Sequence, residues 1–324
     1  MIIVANNQGI LKLPVKIDHK ILFCTKIPTE SISNVVFDFE KTKTITISGV
    51  LYLLCLIGYL NEKRKEITDL PINSEIINID NSLIKFLMNF YYFNQMVIIG
   101  NLKKVNKIDL LDDSSFLDFE KKFTKYQLNK PATIENSNKY LMPITIIPIG
   151  GKELFETTVG KFRDRFNYFY KSLILIEYFK IKFENNGEIQ KLFMEFNITI
   201  NEIIKNIYDH CQSVGFGAIH ARENGIEMVF YDYGIGIEKS MKQNTIYNSL
   251  NELEVIKLAL EDGVSSKSEN GENRGRGFTK MLEFAEQNNG FLSIRTGKYH
   301  YINKKLISTE WFPGTQIVVY IPKC

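Results

Sequence analysis

The chain is poor in the residues that mark metalloproteins, disulfide scaffolds and nucleic-acid binders. Its four cysteines, Cys24, Cys55, Cys211 and Cys324, are spread over 324 residues and form no C-x-x-C pair. The four histidines, His19, His210, His220 and His300, are equally scattered, so no cluster has the ligand spacing of a zinc site. The thiols read as the reduced cysteines of a cytoplasmic protein. Neither sign of charge dominates: 40 Lys+Arg stand against 37 Asp+Glu, a net charge of +3. That balance gives no electrostatic footprint for nucleic acid or an anionic membrane. Long apolar runs are missing as well. The start, MIIVANNQGI, has no basic segment ahead of an apolar core, and VLYLLCLIGYL at 50–60 is shorter than the roughly 20 residues a bilayer-spanning helix needs. These absences predict a soluble cytoplasmic chain with neither a membrane nor a nucleic-acid partner.

What remains is ordinary globular composition, 44% hydrophobic and 24% charged. The length suits two domains of roughly 100–200 residues each. NVVFD (34–38) and KTITI (43–47) read as strands, and Ser48-Gly49 then precedes an apolar stretch long enough for a buried helix. IINI (76–79) reads as a strand, SLIKFLMNFYYF (82–93) as a helix and MVIIG (96–100) as a strand. Alternation of this kind predicts a small α/β domain over 1–127. LNKPATIENSNK (128–139) is rich in loop-forming residues and Gly150-Gly151 offers a hinge, which places a linker at 128–151. Residues 152–184 are helical in pattern and rich in Phe and Tyr, and read as a connecting segment whose aromatic stripe is packing surface. From 185 the pattern gives a helix at 187–211, strands near 216–221 and 225–231, and a helix at 250–262. A polar loop at 263–275, a helix at 277–288 and strands near 291–296 and 315–321 complete an α/β sandwich.

Four segments of this second half carry chemistry. In NITINEIIKNIYDHC (197–211), Ile200, Ile203, Ile204, Ile207 and Cys211 form the apolar side of a helix. Glu202, Asn206 and His210 follow one another at four-residue steps on the other side. A carboxylate can take a proton from a nucleophile, an amide oxygen is a hard neutral ligand, and an imidazole can meet an anion. Taken alone, the pattern is also that of a solvated helix face. In IEMVFYDYGIGI (226–237) a hydrophobic strand ends at Asp232, and the chain turns through Gly234 and Gly236. A carboxylate there can accept from an exocyclic amine, or the segment is an ordinary turn. In GVSSKSENGENRGRGFTKMLEFAE (263–286), Lys267, Arg274, Gly275, Arg276 and Gly277 lead into a helix, as at an anion site or in a surface loop. Gly314 and Thr315 open the last strand.

In this order and spacing the four segments resemble the boxes of the GHKL superfamily, the Bergerat-fold ATP-binding domains of gyrase, heat-shock chaperones, mismatch-repair proteins and histidine kinases. Glu202 and Asn206 match its E-x-x-x-N box. Asp232, Gly234 and Gly236 match D-x-G-x-G, Gly275 and Gly277 the third box, and Gly314-Thr315 the fourth. The resemblance covers residues 185–324. It implies ATP and Mg²⁺ as ligands, with Glu202 as general base and Asn206 as a Mg²⁺ ligand through its side-chain oxygen. Asp232 would receive the adenine amine, with Thr315 supporting it through water. Gly275 and Gly277 would border the phosphates in a lid with Lys267 and Arg274, and His210 would stand where relatives carry a phosphate-contacting residue. The N-terminal part resembles a STAS-like domain, in which a D-S-S-G turn carries a phosphorylated serine. Here Ser48 and Gly49 match the last two positions, while Thr46 and Ile47 replace the first two. Ser48 is accordingly a candidate phosphoacceptor, or simply the N-cap of the helix that follows.

The expected fold is therefore α/β throughout: a Bergerat-type sandwich, a mixed sheet packed on helices, behind a STAS-like α/β domain. The leading functional expectation is a slow ATPase that works as a nucleotide-driven switch coupled to the STAS-like domain, with ATP-dependent homodimerisation as in related proteins. The alternatives are a serine/threonine kinase like the anti-sigma-factor kinases, acting on a STAS-type or sigma-factor-pathway partner, and a non-catalytic ATP sensor. No histidine sits in an H-box-like helix ahead of the ATP-binding segment, which speaks against an autophosphorylating histidine kinase.

Overall fold

The computed structural model describes residues 2–5, 8–18, 32–90, 92–110, 112–124, 141–147, 156–157, 159–160, 186–222, 224–261, 277–302 and 304–322. The linker segment 128–139, Gly150-Gly151, nearly all of the connecting segment 152–184 and the loop 263–275 lie outside the described residues. The chain divides into two compact units, Met1–Ile144 and Thr145–Cys324. Both are mixed α/β, and among the described residues no helix is long and apolar enough to cross a membrane.

The first unit opens with an antiparallel hairpin, β1 (Ile2–Ala5) and β2 (Gln8–Lys12). Strands β4 (Asn34–Asp38), β6 (Asn73–Ile77) and β7 (Leu102–Val105) add to β2 in parallel, and β8 (Ile108–Asp109) closes the sheet antiparallel to β7. A two-stranded parallel pair, β3 (Lys16–Ile17) and β5 (Thr44–Ile45), stands apart from this sheet. Parallel neighbours need crossovers, and α1 (Ile47–Lys65), α2 (Asn81–Asn89) and α3 (Tyr92–Gly100) lie in them, with α4 (Asp113–Thr124) following β8.

Helix α1 holds the core of this unit. Every residue from Ile47 to Gly58 is buried, so the helix has no solvated face over these turns. Its polar Asn61 is satisfied, donating to Ile99 O at 2.8 Å and accepting from Ile72 N at 2.8 Å. The N-cap is Thr46, which is extended and whose hydroxyl accepts from Gly49 N at 3.3 Å. The cap therefore falls two residues before Ser48, which sits in the first turn with its hydroxyl 2.6 Å from that of Thr46.

Residues 96–100 are the last turn of α3, not a strand. Phe93, Met96 and Gly100 are buried while Val97 and Ile98 are exposed, which is a helical and not an alternating pattern. A Cβ on Gly100 would lie 3.1 Å from Ile57, so α3 approaches α1 closely there. Residues 141–147, within the segment expected to be linker, form strand β9 (Leu141–Ile147) at the edge of the second sheet. The β-branched Ile144, Thr145, Ile146 and Ile147 favour that state, and an edge position tolerates Pro143.

The second sheet runs in the order β12 (Phe291–Ile302), β13 (Lys305–Pro322), β11 (Gly225–Asp232), β10 (Gly215–Arg222), β9. The pairings β10–β11, β11–β13 and β12–β13 are all antiparallel. Helix α5 (Asn186–His210) contacts β11, and α8 (Gly277–Gln287) packs on α5, β12 and β13. Between them come α6 (Gly236–Met241) and α7 (Glu252–Ala259). The expected apolar side of α5 is its buried side: Ile200, Ile203, Ile204 and Ile207 are in the core. Strands β12 and β13 run longer than their apolar cores, because the polar stretch between them continues the hairpin through a bulge at Gly297 to the pair Ile302 and Lys305.

Truncating Ile203 to Ala removes most of a fully buried side chain and is expected to cost about 2–5 kcal/mol of stability. Urea unfolding of the full chain checks this; a loss below about 1 kcal/mol would mean that the α5 stripe is not core.

Candidate functional site

One row of residues crosses the end of the second sheet. Gly215 of β10 pairs with Asp232 of β11, Asp232 with Thr315 of β13, and Thr315 with Thr296 of β12. Directly opposed residues share a face. It is the face α5 covers, because a Cβ on Gly215 would run into the Ile207 side chain. The pairing register at this sheet end thus brings together residues up to 100 positions apart.

Asp232 is the centre of the row. It is 2% exposed, and its Oδ1 accepts from Gly234 N at 2.9 Å and from Thr315 N at 3.2 Å. Two loops therefore close on one carboxylate oxygen. Gly314 takes φ +67°, and a Cβ there would overlap the backbone and side chain of Asp232, so only glycine permits this turn. The other loop is fastened to α5: Ile235 N donates to Cys211 O at 3.0 Å, and the backbone at Gly234 runs so close to that carbonyl that no side chain fits.

Burial strips water from the Asp232 carboxylate and pushes its pKa up to about 7, although the N–H groups of Gly234 and Thr315 and the Thr315 hydroxyl pull the other way. Among the described residues no lysine or arginine forms an ion pair with it. Beneath it, burial and then the Asp232 charge push the Cys211 thiol up to about 12, so Cys211 is an inert thiol that donates to Ser213 O.

A second cluster forms where α8 starts. Glu202 and Asn206, one turn apart on α5, are both half-buried. A Cβ on Gly277 would lie 3.1 Å from Asn206 Nδ2 and 3.4 Å from Glu202 Oε2. The first residue of α8 thus sits directly against the carboxylate and the amide. The first turn of α8 carries no acidic residue of its own, and the carboxylate that meets its N-terminal partial charge is that of Glu202.

The structure therefore brings Asp232, Gly234, Gly236 and Thr315 together in one cluster, and Glu202, Asn206 and Gly277 in another, both against α5. His210 ends α5, with its side chain outside the described residues. Lys267, Arg274, Gly275 and Arg276 also lie outside them. Ser48 belongs to the first unit and is fully buried. Among the described residues no group of three or more His, Cys, Asp or Glu could hold a metal by itself. One participant escaped the sequence reading altogether: Thr296, whose Oγ1 accepts from Ile237 N at 3.1 Å and donates to Gly314 O at 2.9 Å. A lone threonine in a strand carries no local signal for partners so far away in the chain.

No family model matches the chain, and no curated protein matches it significantly.

Because the folded state raises the Asp232 pKa, it binds a proton more tightly than the unfolded chain between the ordinary aspartate range and about pH 7. This group's contribution to stability is thus greatest at acid pH and falls as pH rises to 7. Thermal unfolding at pH 5 and pH 8 is expected to show a smaller loss of stability on raising the pH in Asp232→Asn than in wild type. Identical pH slopes would rule out the raised pKa.

Proposed function

We propose that the C-terminal unit binds ATP with Mg²⁺ as a Bergerat-type domain of the GHKL kind, and that the protein is a slow ATPase switch coupled to its STAS-like N-terminal unit. The observation that supports this reading is that four motifs distant in sequence meet in two pairs. Asp232 Oδ1 holds the Thr315 N–H across 83 positions, and Gly277 seats against Asn206 and Glu202. Unrelated turns and a solvated helix face have no reason to meet in this way.

The residues fit the ligand. The Asp232 carboxylate, which has no ion-pair partner among the described residues, has acceptor capacity beyond its bonds from Gly234 and Thr315, and the exocyclic amine of adenine is a donor suited to it. Mg²⁺ takes one or two protein oxygens and completes its shell with water and phosphate. Asn206 offers one such oxygen, beside the start of α8. Bound Mg²⁺ supplies charge neutralisation at the phosphates. Glu202 takes the proton of a water attacking the γ-phosphorus as the bond to the β-phosphate oxygen breaks, leaving ADP and inorganic phosphate. On the GHKL resemblance Lys267, Arg274 and Gly275 would be lid residues near the phosphates and His210 a phosphate contact.

In the kinase reading the phosphoryl group goes to a protein hydroxyl. Ser48 is a poor acceptor in the described fold, because its side chain is fully buried and shares a hydrogen bond with Thr46. A kinase activity is therefore directed at a separate STAS-type partner.

Replacing Asp232 by Asn removes a hydrogen bond to a charged group and is expected to weaken ATP binding by about 1.5–3 kcal/mol. Calorimetric titration measures this, and unchanged affinity would refute the adenine assignment. Incubation with Mg²⁺ and γ-labelled ATP separates the reactions. Label released as inorganic phosphate by wild type, but not by Asn206→Ala or Glu202→Ala, is the expected result for a switch ATPase. Label on an added STAS-type protein would mean a kinase, and binding without any transfer a sensor.

A further inference from the structure

We propose that Thr296 is a positioning residue of the nucleotide site, a clasp that sets the adenine-facing loop against the Gly-Thr turn and thereby determines how strongly adenine is preferred. The proposal rests on the nucleotide reading above and adds a residue that none of the four motifs contains.

Thr296 is 2% exposed and is the last residue of β12 before the register breaks at Gly297. Its hydroxyl uses both of its capacities. It accepts from Ile237 N at 3.1 Å, just past the D-Y-G-I-G loop, and donates to Gly314 O at 2.9 Å, in the turn that precedes Thr315. The space is tight: a Cβ on Gly236 would stand 3.0 Å from this hydroxyl and 3.2 Å from Gly314 O. The loop and the turn thus meet at two points only a few residues apart, once through Asp232 Oδ1 and once through Thr296 Oγ1.

The two points differ in kind. Asp232 is the group offered to the ligand, so its carboxylate cannot by itself fix the direction in which it faces. Thr296 is committed on both sides to backbone and is buried, so it acts through the loop and not on the ligand. A hydroxyl is the smallest side-chain group that can donate to one backbone and accept from another. Its own position is set by its strand pairing with Thr315, and the bulge that follows is held where Lys298 N donates to Glu252 Oε1 at 2.8 Å. Without the hydroxyl, Ile237 N–H and Gly314 O lose a buried partner each, and the loop gains freedom where the adenine edge is read.

The test uses the full-length chain, Thr296→Val and Thr296→Ser, titrated with the N-methylanthraniloyl derivatives of ADP and GDP, with circular dichroism melting of each. Valine keeps the shape and strand preference, and serine keeps the hydroxyl. Expected for Thr296→Val are a loss of about tenfold or more in ADP affinity, from two buried groups left unpaired, and a reduced preference for ADP over GDP. Thr296→Ser is expected to restore both, and exchange of the Ile237 amide with solvent deuterium is expected to quicken in Val alone. If the valine variant does not fold, Thr296→Cys, a weaker donor of similar size, replaces it with an intermediate loss expected. Wild-type ADP affinity and selectivity in the valine variant would overturn the clasp while leaving the nucleotide reading intact. Equal losses in valine and serine would assign Thr296 to packing and overturn it too. A wild-type chain that takes up neither nucleotide removes the nucleotide reading itself, and the clasp with it.

Discussion

The candidate site depends on one buried carboxylate accepting two backbone hydrogen bonds. Asp232 ends a central strand, and its Oδ1 gathers the N–H groups of Gly234 and Thr315. Burying a carboxylate is costly unless donors meet it, and here the donors are peptide groups that bring no counter-charge. The result is a group that is well held in position while burial still keeps its pKa raised. Most other features serve this arrangement: glycine where Gly314 turns against the carboxylate, the Cys211 carbonyl that anchors the loop to α5, and the threonine behind both loops.

Helix α5 ties the Asp232 cluster to the cluster at the start of α8. Its apolar side packs on the sheet, its C-terminus fastens the Asp232 loop through Cys211 O, and its polar side presents Glu202 and Asn206 to the start of α8. A single rigid element thus sets the spacing between the two clusters.

How much of this could be read in advance followed from the range of the interactions. The α5 stripe was legible because its periodicity is local and strong, and the strand ending at Asp232 because it is a short, mostly apolar run between glycine-bearing turns. The short run MVIIG was not, since an apolar run of that length fits a strand or a helix end equally. Strand β9 was hidden by Pro143 and by the loop-like composition just before it. The extension of the β12–β13 hairpin past Gly297 was hidden because Lys298, Lys305 and Ser308 bury no apolar face. Thr296 was illegible for a different reason: its partners lie 59 and 18 positions away, and only the sheet register brings them near. That Asp232 meets Thr315, and Gly277 meets Asn206 and Glu202, follows from the sheet register and from the seat of α8 on α5, and no one of these residues announces its partner locally.

Helix α1 carries a separate consequence. An amphipathic helix is told by polarity which way to turn about its axis, and α1 has no such instruction from Ile47 to Gly58. Its rotation is encoded in shape instead. A Cβ on Gly49 would come within 2.5 Å of Ile17 O, and Gly100 of α3 leaves room for Ile57. The N-terminal unit is accordingly exposed to a kind of drift that hydrophobicity does not report. Exchanges among Leu, Ile, Val and Ala along α1 would keep every residue apolar and buried while erasing the steric key, giving a unit that is collapsed and helical but no longer unique in its packing.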